Sequence, residues 1–221
     1  MKWRNREVWR KNLMIIWISS LRNPSQCRSF LLTRYGFKPL LVCLCLLSLL
    51  GTGCASARYQ STKPGKLQGK LIVQWIEPDE FLFIPDPESP LSFIRFNGDK
   101  ITPGKMMTDG GSIPRPLWIL RSYSPWGYAP AFIVHDWLFV MKHCQIPGNE
   151  KYNVHDAALV LAEVMKTIMV TGKVAVDRPT LWSIYSAVNS PIAGNLWDKG
   201  ACIPPPPGLT HKKPILEYEL V

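Results

Sequence analysis

The sequence predicts an α+β fold in which a small antiparallel β-sheet comes first and a layer of three helices follows. Two observations predict it. Before residue 107, short aliphatic and aromatic runs are bounded by Pro, Asp or Gly, and after Pro114 the apolar period becomes helical. We therefore assign residues 1–53 to a leader with a lipoprotein-type signal peptide, 54–68 to a flexible tether, 69–198 to a single α+β domain, and 199–221 to a Pro-rich C-terminal tail.

Three runs rich in β-branched and aromatic residues predict the strands Leu71–Ile76, Phe81–Ile84 and Leu91–Phe96. Asn97-Gly98 follows the third run. Both residues tolerate the positive φ that a two-residue hairpin turn requires. We therefore expect a fourth strand at Asp99–Thr102 that pairs back on the third run.

Three later segments combine helical periodicity with start and stop signals. They are Ala129–His143, Asn153–Val170, and a segment that begins at the candidate N-cap Asp177 and ends before Pro191. In the second segment, apolar residues fall on one stripe at the required spacing: Val154, Ala158, Leu161, Met165 and Ile168.

The positive charge of the chain is concentrated in the leader. Residues 1–38 contain nine basic side chains and one acidic side chain, and so carry +8 of the formal net charge of +10. The remaining residues have 17 basic and 15 acidic side chains. Because nucleic-acid binding depends on a cationic excess that neutralises phosphates, the composition of the domain gives no support to a nucleic-acid partner.

Residues 39–50 form an apolar run of signal-peptide length, preceded by Arg34 and Lys38. The run is too short to span a bilayer comfortably. The residues Leu50-Gly51-Thr52-Gly53-Cys54-Ala55 then resemble the bacterial lipobox, in which the cysteine becomes the lipidated first residue. Acyl chains on Cys54 would give stable membrane anchoring. Ala55 resembles the sorting residue of outer-membrane lipoproteins, so we expect a lipid-anchored protein of the bacterial cell envelope, in the outer membrane.

The leader and the lipidation site account for four of the six cysteines, which leaves Cys144 and Cys202. In an oxidising compartment these two could form a disulfide, or they could be two buried thiols. The sequence has no CxxC motif and no Cys/His zinc spacing.

Three short motifs contain the candidate chemistry. The first is residues 108–115, Thr-Asp-Gly-Gly-Ser-Ile-Pro-Arg, the second is His135-Asp136 inside an apolar run, and the third is Asp156 at the start of the next helix. Adjacent ionisable groups in a buried helix need partners, because desolvating them unpaired is costly. Asp109, Asp156, a metal ion or a substrate are the available partners.

Each of these residues also has a structural explanation. His135 could bond a backbone carbonyl while Asp136 forms a salt bridge with one of the arginines at positions 115 and 121. Asp156 suits the positive end of a helix dipole, and Asp109 suits a turn.

The motifs resemble the bacterial and phage family known as domain of unknown function 1353. Its pattern is a β-rich start, Thr-Asp-x-x-Ser-Ile-Pro-Arg, Ala-x-x-x-His-Asp-x-Leu-Tyr, an Asp opening the next helix, and a late helix with Trp or Tyr. Here these features are residues 108–115, residues 131–139, Asp156, and the segment from Trp182 to Trp197. The resemblance covers roughly residues 70–198 and implies a fold without an established activity.

The His-Asp pair also resembles the site of bacterial secreted phospholipase A2. In that class the His is the general base for water, the adjacent Asp binds calcium beside a Gly-containing loop, and a distant Asp orients the His. By this resemblance His135 would be the base, Asp136 a calcium ligand and Asp156 the orienting residue. Asp109 and Gly110 would lie in the loop that completes the calcium shell.

The sequence therefore predicts an envelope lipoprotein with a calcium-assisted His/Asp hydrolase site that acts on an ester or a lipid-like substrate. Phe139 stands where phospholipase A2 has a tyrosine, and the disulfide framework of that class is missing. The alternative is a non-catalytic envelope or phage-derived structural or interaction protein. The predicted partners are the membrane, reached through Cys54, and the substrate; the sequence identifies no protein partner.

Overall fold

A computed structural model of the chain describes residues 53–77, 80–108, 127–205 and 216–220. Within these ranges the chain has the predicted α+β fold, with an antiparallel sheet packed against helices. The leader up to residue 52 and most of the Thr-Asp motif, including Asp109 and Gly110, lie outside the described residues. In the part that is described, no helix is long and apolar enough to cross a membrane.

One long strand organises the sheet. The strands are β1 (Lys66–Glu77), β2 (Glu80–Pro85), β3 (Ser92–Ile94), β4 (Lys100–Ile101), β5 (Met106–Thr108) and β6 (Leu216–Leu220). Their order is β4-β3-β1-β2-β5, with β6 beside β1, and all these pairs are antiparallel. At Gly69, β1 changes partner from β3 to β6; its φ is +96°, and a Cβ there would lie 2.2 Å from the Pro90 carbonyl oxygen, so only glycine fits.

The β3–β4 hairpin forms where Asn97-Gly98 predicts it, but its loop is longer than a two-residue turn. The amide of Arg95 donates to the carbonyl of Asp99, and the amide of Gly98 donates to the carbonyl of Arg95. Gly98 has a φ of +88°, whereas Asn97 has no positive φ. This is the pattern of a three-residue loop that ends in a left-handed glycine.

Five α-helices are present in the described ranges. They are α1 (residues 53–61), α2 (Ala129–His143), α3 (Val154–Val170), α4 (Arg178–Val188) and α5 (Pro191–Lys199). α2, α3 and α4 confirm the three helices predicted from the sequence. α3 is the central one, because it contacts α2, α4, α5 and β1. Its predicted stripe is buried at Ala158, Leu161, Met165 and Ile168 and partly buried at Val154.

Residues 54–68 do not form the flexible tether that the sequence predicts, since they contain most of α1 and the start of β1. The reason lies on α3. The Nζ of Lys166 donates to the carbonyls of Tyr59, at 2.6 Å, and Thr62, at 2.7 Å, which satisfies acceptors at the carbonyl end of α1. The amide of Gly65 donates to Oγ1 of Thr167 at 2.9 Å. Because these partners are 102 to 107 residues away in the sequence, the composition of residues 54–68 does not predict the contacts.

The C-terminal tail also contains regular structure. β6 pairs with residues Gly69–Val73 of β1. The alternation of Leu, Glu, Tyr, Glu and Leu in residues 216–220 is a strand pattern of period two. The Pro-rich tail predicted for residues 199–221 therefore has to be corrected, because it ends in a strand of the sheet.

A disulfide joins Cys144, the C-cap of α2, to Cys202, which follows α5, with the two Cα atoms 4.6 Å apart. The next residue back along α2, His143, places its Nε2 3.1 Å from the carbonyl oxygen of Leu196 and 3.2 Å from that of Trp197. The ends of α2 and α5 are therefore fixed to each other by both a covalent and a polar link.

Candidate functional site

α2 carries the His-Asp pair on its buried side. His135 is 8% exposed, and it follows a run of buried residues from Ala129 to Val134. The side chain of Asp136 is 24% exposed. The pair thus lies where the helix passes from the core to the surface, so its polar atoms must find partners or a path to solvent.

The carboxylate of Asp136 has two partners. Oδ2 accepts a hydrogen bond from Oγ1 of Thr108, at 2.7 Å, and Oδ1 lies 3.3 Å from Nδ1 of His135. Thr108 is the last residue of β5 and the first residue of the Thr-Asp motif. The structure therefore brings the first motif into contact with the second, through Thr108 and Asp136.

This arrangement sets the tautomer of His135. An ionised carboxylate can only accept hydrogen bonds, so its contact with Nδ1 assigns the proton of a neutral imidazole to Nδ1. The other ring nitrogen, Nε2, is buried and has no hydrogen-bond partner among the described residues. A neutral ring in this tautomer presents an unshared electron pair at Nε2.

An aromatic wall stands on one side of the imidazole. The ring of Phe139, one turn further along α2, lies 5.0 Å from the ring of His135 at an angle of 44°. Phe139 in turn makes edge contacts with Trp197 of α5, at 4.9 Å, and with His143, at 5.9 Å. Phe139 thus packs between the imidazole and Trp197, and the disulfide at Cys144 fixes α5, which carries Trp197, to the end of α2.

Asp156 has a different task from the one the phospholipase A2 resemblance implies. Its Oδ2 accepts from the amide of Asn153 at 3.0 Å, and its own amide donates to Oδ1 of Asn153, which together form a capping box at the start of α3. In the described part of the chain no hydrogen bond joins Asp156 to His135. The structure thus supplies Asp136, not Asp156, as the carboxylate next to the imidazole.

The described residues do not make a metal site by themselves. No group of three or more His, Cys, Asp or Glu side chains that could hold an ion lies together in the described ranges. Of the predicted calcium ligands only Asp136 is described, since Asp109 and Gly110 lie outside these ranges. The calcium shell therefore stays a prediction.

Two residues of the site were not assigned roles by the sequence. Thr108 positions the carboxylate, and Phe139 packs on the imidazole. The sequence position of each residue indicates its place at the site: Thr108 belongs to the Thr-Asp motif, and Phe139 lies four residues after His135 on the same helical face. Of the other histidines, His155 is exposed, with Nδ1 3.0 Å from Oδ1 of Asn189, and His143 is partly buried against α5.

The family model described as "Protein of unknown function (DUF1353)" matches residues 89–188. This range contains the Thr-Asp motif, the His-Asp pair, Asp156 and the helices α2 to α4, so the resemblance drawn from the motifs is confirmed over these residues. No curated protein and no solved structure matches the chain.

Proposed function

We propose that the protein is a lipid-anchored envelope protein whose domain hydrolyses an ester or a lipid-like substrate, with His135 as the general base. One observation carries the proposal: His135 is buried, its Nδ1 faces a carboxylate, and its Nε2 has no hydrogen-bond partner among the described residues. Native proteins pair almost all buried polar groups, so a buried nitrogen with no partner in the described part of the chain supports a functional role.

The chemistry follows from the tautomer. A water molecule bonded to Nε2 of His135 attacks the ester carbonyl carbon, and Nε2 takes its proton as the new C–O bond forms. Asp136 stabilises the resulting imidazolium through Nδ1. When the tetrahedral intermediate collapses, the ester C–O bond breaks and the leaving alkoxide takes the proton back from Nε2. The hydroxyl of Thr108 keeps the carboxylate aligned throughout.

Calcium binding is a separate part of the proposed activity. Its ligands would be Asp136 together with Asp109 and Gly110 of the Thr-Asp motif, and when bound a hard cation polarises the ester carbonyl. Of this set the described residues supply one carboxylate, both of whose oxygens already have partners. The proton transfers between water, His135 and the leaving alkoxide do not involve the ion.

The envelope address rests on the lipobox-like residues 50–55. Two features support it. Cys54 is partly exposed, as a residue that carries acyl chains must be. The disulfide between Cys144 and Cys202 fits an oxidising compartment, where such bonds persist.

The full chain, purified from membranes in detergent, tests the hydrolase. A panel of aryl esters and phospholipid micelles should reveal turnover in the parent. His135→Gln replaces the imidazole with a polar amide that cannot act as a base, and it should lower the rate by about 10²- to 10⁴-fold. His155→Gln is the matched control, because that histidine is exposed and lies on α3. Equal turnover in the His135→Gln variant, or none in the parent on the whole panel, would contradict the proposal.

Thermal melting tests calcium independently of turnover. If Asp136 is a ligand, calcium at one hundred times its Kd should stabilise the parent by about 2.7 kcal/mol. Asp136→Asn should abolish the shift, whereas Asp198→Asn, at an exposed site on α5, should retain it. A shift of equal size in the Asp136→Asn variant would place the ion elsewhere.

A non-catalytic interaction protein is the second candidate, and the aromatic wall favours it. If the ring contact between His135 and Phe139 is the reason for the histidine, the imidazole is a packing group. In that case the His135→Gln variant should unfold at lower temperature, and the parent should hydrolyse nothing on the panel.

A further inference from the structure

We propose that the surface around α1 lies against the bilayer, with lipid headgroups as its partner. We call this surface the anchor face; it consists of α1 and the exposed side chains of Phe96, Val170, Val176 and Trp182. The inference rests on the proposed lipidation of Cys54. It adds an orientation of the domain, which lipidation alone does not give.

The anchor point is attached rigidly to the domain. Cys54 lies inside α1, and α1 is held at its other end by the two hydrogen bonds from Lys166 and by the bond from Gly65 to Thr167. At a rise of 1.5 Å per residue, Cys54 and Tyr59 are about 8 Å apart along the helix axis. Acyl chains on Cys54 would therefore hold α3 close to the lipid surface, since no flexible linker intervenes.

α4 lies beside α1 through two contacts between a cation and an aromatic ring. The guanidinium of Arg58 is 4.1 Å from the ring centroid of Tyr185, and the guanidinium of Arg178 is 5.3 Å from that of Tyr59. Trp182 lies one helical turn after Arg178. The contacts thus place α4 alongside α1, through Arg178 at its start and Tyr185 near its end.

The structure has five exposed large hydrophobic side chains in the described ranges. Four of them either contact a residue next to α1 or lie within one helical turn of a residue that contacts α1. Val170 is one turn after Lys166, Val176 is two residues before Arg178, and Trp182 is one turn after Arg178. The ring of Phe96 lies 4.4 Å below Nζ of Lys63, just after α1.

A cluster of this kind is typical of an interaction surface, and tryptophan is enriched at membrane interfaces. The fifth exposed residue, Ile203, follows Cys202 in the segment after α5. It is not part of the anchor face.

The charges match an anionic headgroup layer. Residues 53–66 and 166–178 contain one acidic side chain, Asp177, and six basic ones: Arg58, Lys63, Lys66, Lys166, Lys173 and Arg178. Two of these groups already have partners inside the domain: Oδ1 of Asp177 accepts from the amide of Thr180 at 2.9 Å, and Nζ of Lys166 donates to the carbonyls of Tyr59 and Thr62. The positive charge offered to the headgroups is then that of the other five basic side chains. Residues 39–221 carry 17 basic and 15 acidic side chains in total. Outside the two segments that part of the chain is therefore net negative, so the anchor face is where anionic lipids would be attracted.

A polarity-sensitive fluorophore on a single introduced thiol tests the orientation. In the acylated, disulfide-bonded chain, Val176→Cys adds a reactive thiol on the anchor face, at a residue 54% exposed. Glu150→Cys is the control; it is exposed and lies before the start of α3, while Lys166 lies 12 residues into α3, about 18 Å along the axis. In vesicles of phosphatidylethanolamine and phosphatidylglycerol, the label at 176 should shift to the blue and be quenched by nitroxide headgroup lipids, and the label at 150 should do neither.

Each other result has a distinct meaning. Labels at 176 and 150 that are equally hydrated overturn the anchor face while the lipidation stands. A blue shift at 176 without quenching by lipid nitroxides indicates a second copy of the chain and also overturns it. An unacylated Cys54 in the mass spectrum of the amino-terminal peptide overturns both the anchor face and the lipid-anchored address. Absence of hydrolysis overturns only the hydrolase.

Discussion

Lys166 on α3 and His135 on α2 are both polar side chains that are at least partly buried, and they differ in their hydrogen-bond partners. The ammonium of Lys166 donates to two backbone carbonyls, and burial lowers the pKa of its side chain. The imidazole of His135 contacts Asp136 through Nδ1 but leaves Nε2 without a partner among the described residues. Leaving a buried polar atom unpaired costs about 1–3 kcal/mol.

Lys166 therefore stabilises the fold through its hydrogen bonds, whereas Nε2 of His135 makes no such bond in the described part of the chain. Lys166 joins α1 to α3 and so replaces a tether with a fixed attachment. His135 is surrounded by groups that orient it, Asp136 and Phe139, and no described contact uses the remaining nitrogen. A buried nitrogen with no partner in the described part of the chain is a candidate for a functional role, since native proteins pair almost all such atoms.

The largest effect should come from the covalent support behind the imidazole. The double variant Cys144→Ser, Cys202→Ser opens a loop of 58 residues and should lose about 4 kcal/mol of stability in urea unfolding, by the chain-entropy estimate. Because the disulfide holds α5 against Phe139, the near-ultraviolet circular dichroism should change as well. A loss below about 1 kcal/mol would mean that the contacts of His143 and Trp197 hold α5 without the disulfide.

A smaller loss is expected when the attachment of α1 is broken. Lys166→Met keeps the aliphatic stem and removes both hydrogen bonds, so the free energy of unfolding should fall by about 2 kcal/mol. Limited proteolysis should then cleave between α1 and β1. Lys151→Met, at an exposed lysine before α3, is the matched control and should change stability by less than about 0.5 kcal/mol. Equal effects of the two substitutions would remove the contrast between Lys166 and His135.

The parts of the fold that the sequence predicts well depend on local signals. α3 has a cap at Asn153 and an apolar stripe at helical spacing, and both are properties of consecutive residues. α1 and β6 escape prediction because their stability comes from remote partners, Lys166 for α1 and β1 for β6. A polar segment and a Pro-rich tail read locally as unstructured.

Local sequence signals also predict only part of the candidate site. The adjacency of His135 and Asp136 is visible in the sequence, and so is the need for a partner. That the partner is Thr108 depends on β5 packing beside α2, which only the folded chain decides. Asp156 has the spacing of an orienting acid, but the nearer amide of Asn153 takes its carboxylate. Spacing along the chain did not distinguish these outcomes.

The start of the helix that carries His135 gives a pH dependence. Tyr128 is 3% exposed, and burial raises its pKa to about 12, with the charge of Asp177 acting in the same direction. The folded state therefore holds its proton where the unfolded chain, with a pKa near 10, releases it. The stabilisation is complete below pH 10 and is lost as the pH rises from 10 to 12.

Tyr128→Phe should reduce that alkaline slope by up to about 1.4 kcal/mol per pH unit. Urea unfolding at a series of alkaline pH values measures it. Burial also raises the pKa of Tyr152 and Tyr185, so part of the slope should remain. An unchanged slope would mean that the phenol at the start of α2 ionises as freely in the folded state as in the unfolded chain.

The smallest change in stability is expected at His135 itself, and it tests the comparison most directly. His135→Phe keeps an aromatic ring beside Phe139 and removes a nitrogen that has no partner among the described residues, so the free energy of unfolding should stay within about 1 kcal/mol of the parent or rise. Asp136 keeps its bond from Thr108. If His135 instead belongs with Lys166 as a group that builds the fold, the same variant should lose about 2 kcal/mol or more. A stable His135→Phe protein without hydrolase activity would show that the imidazole is retained for its chemistry, at a site the fold does not need.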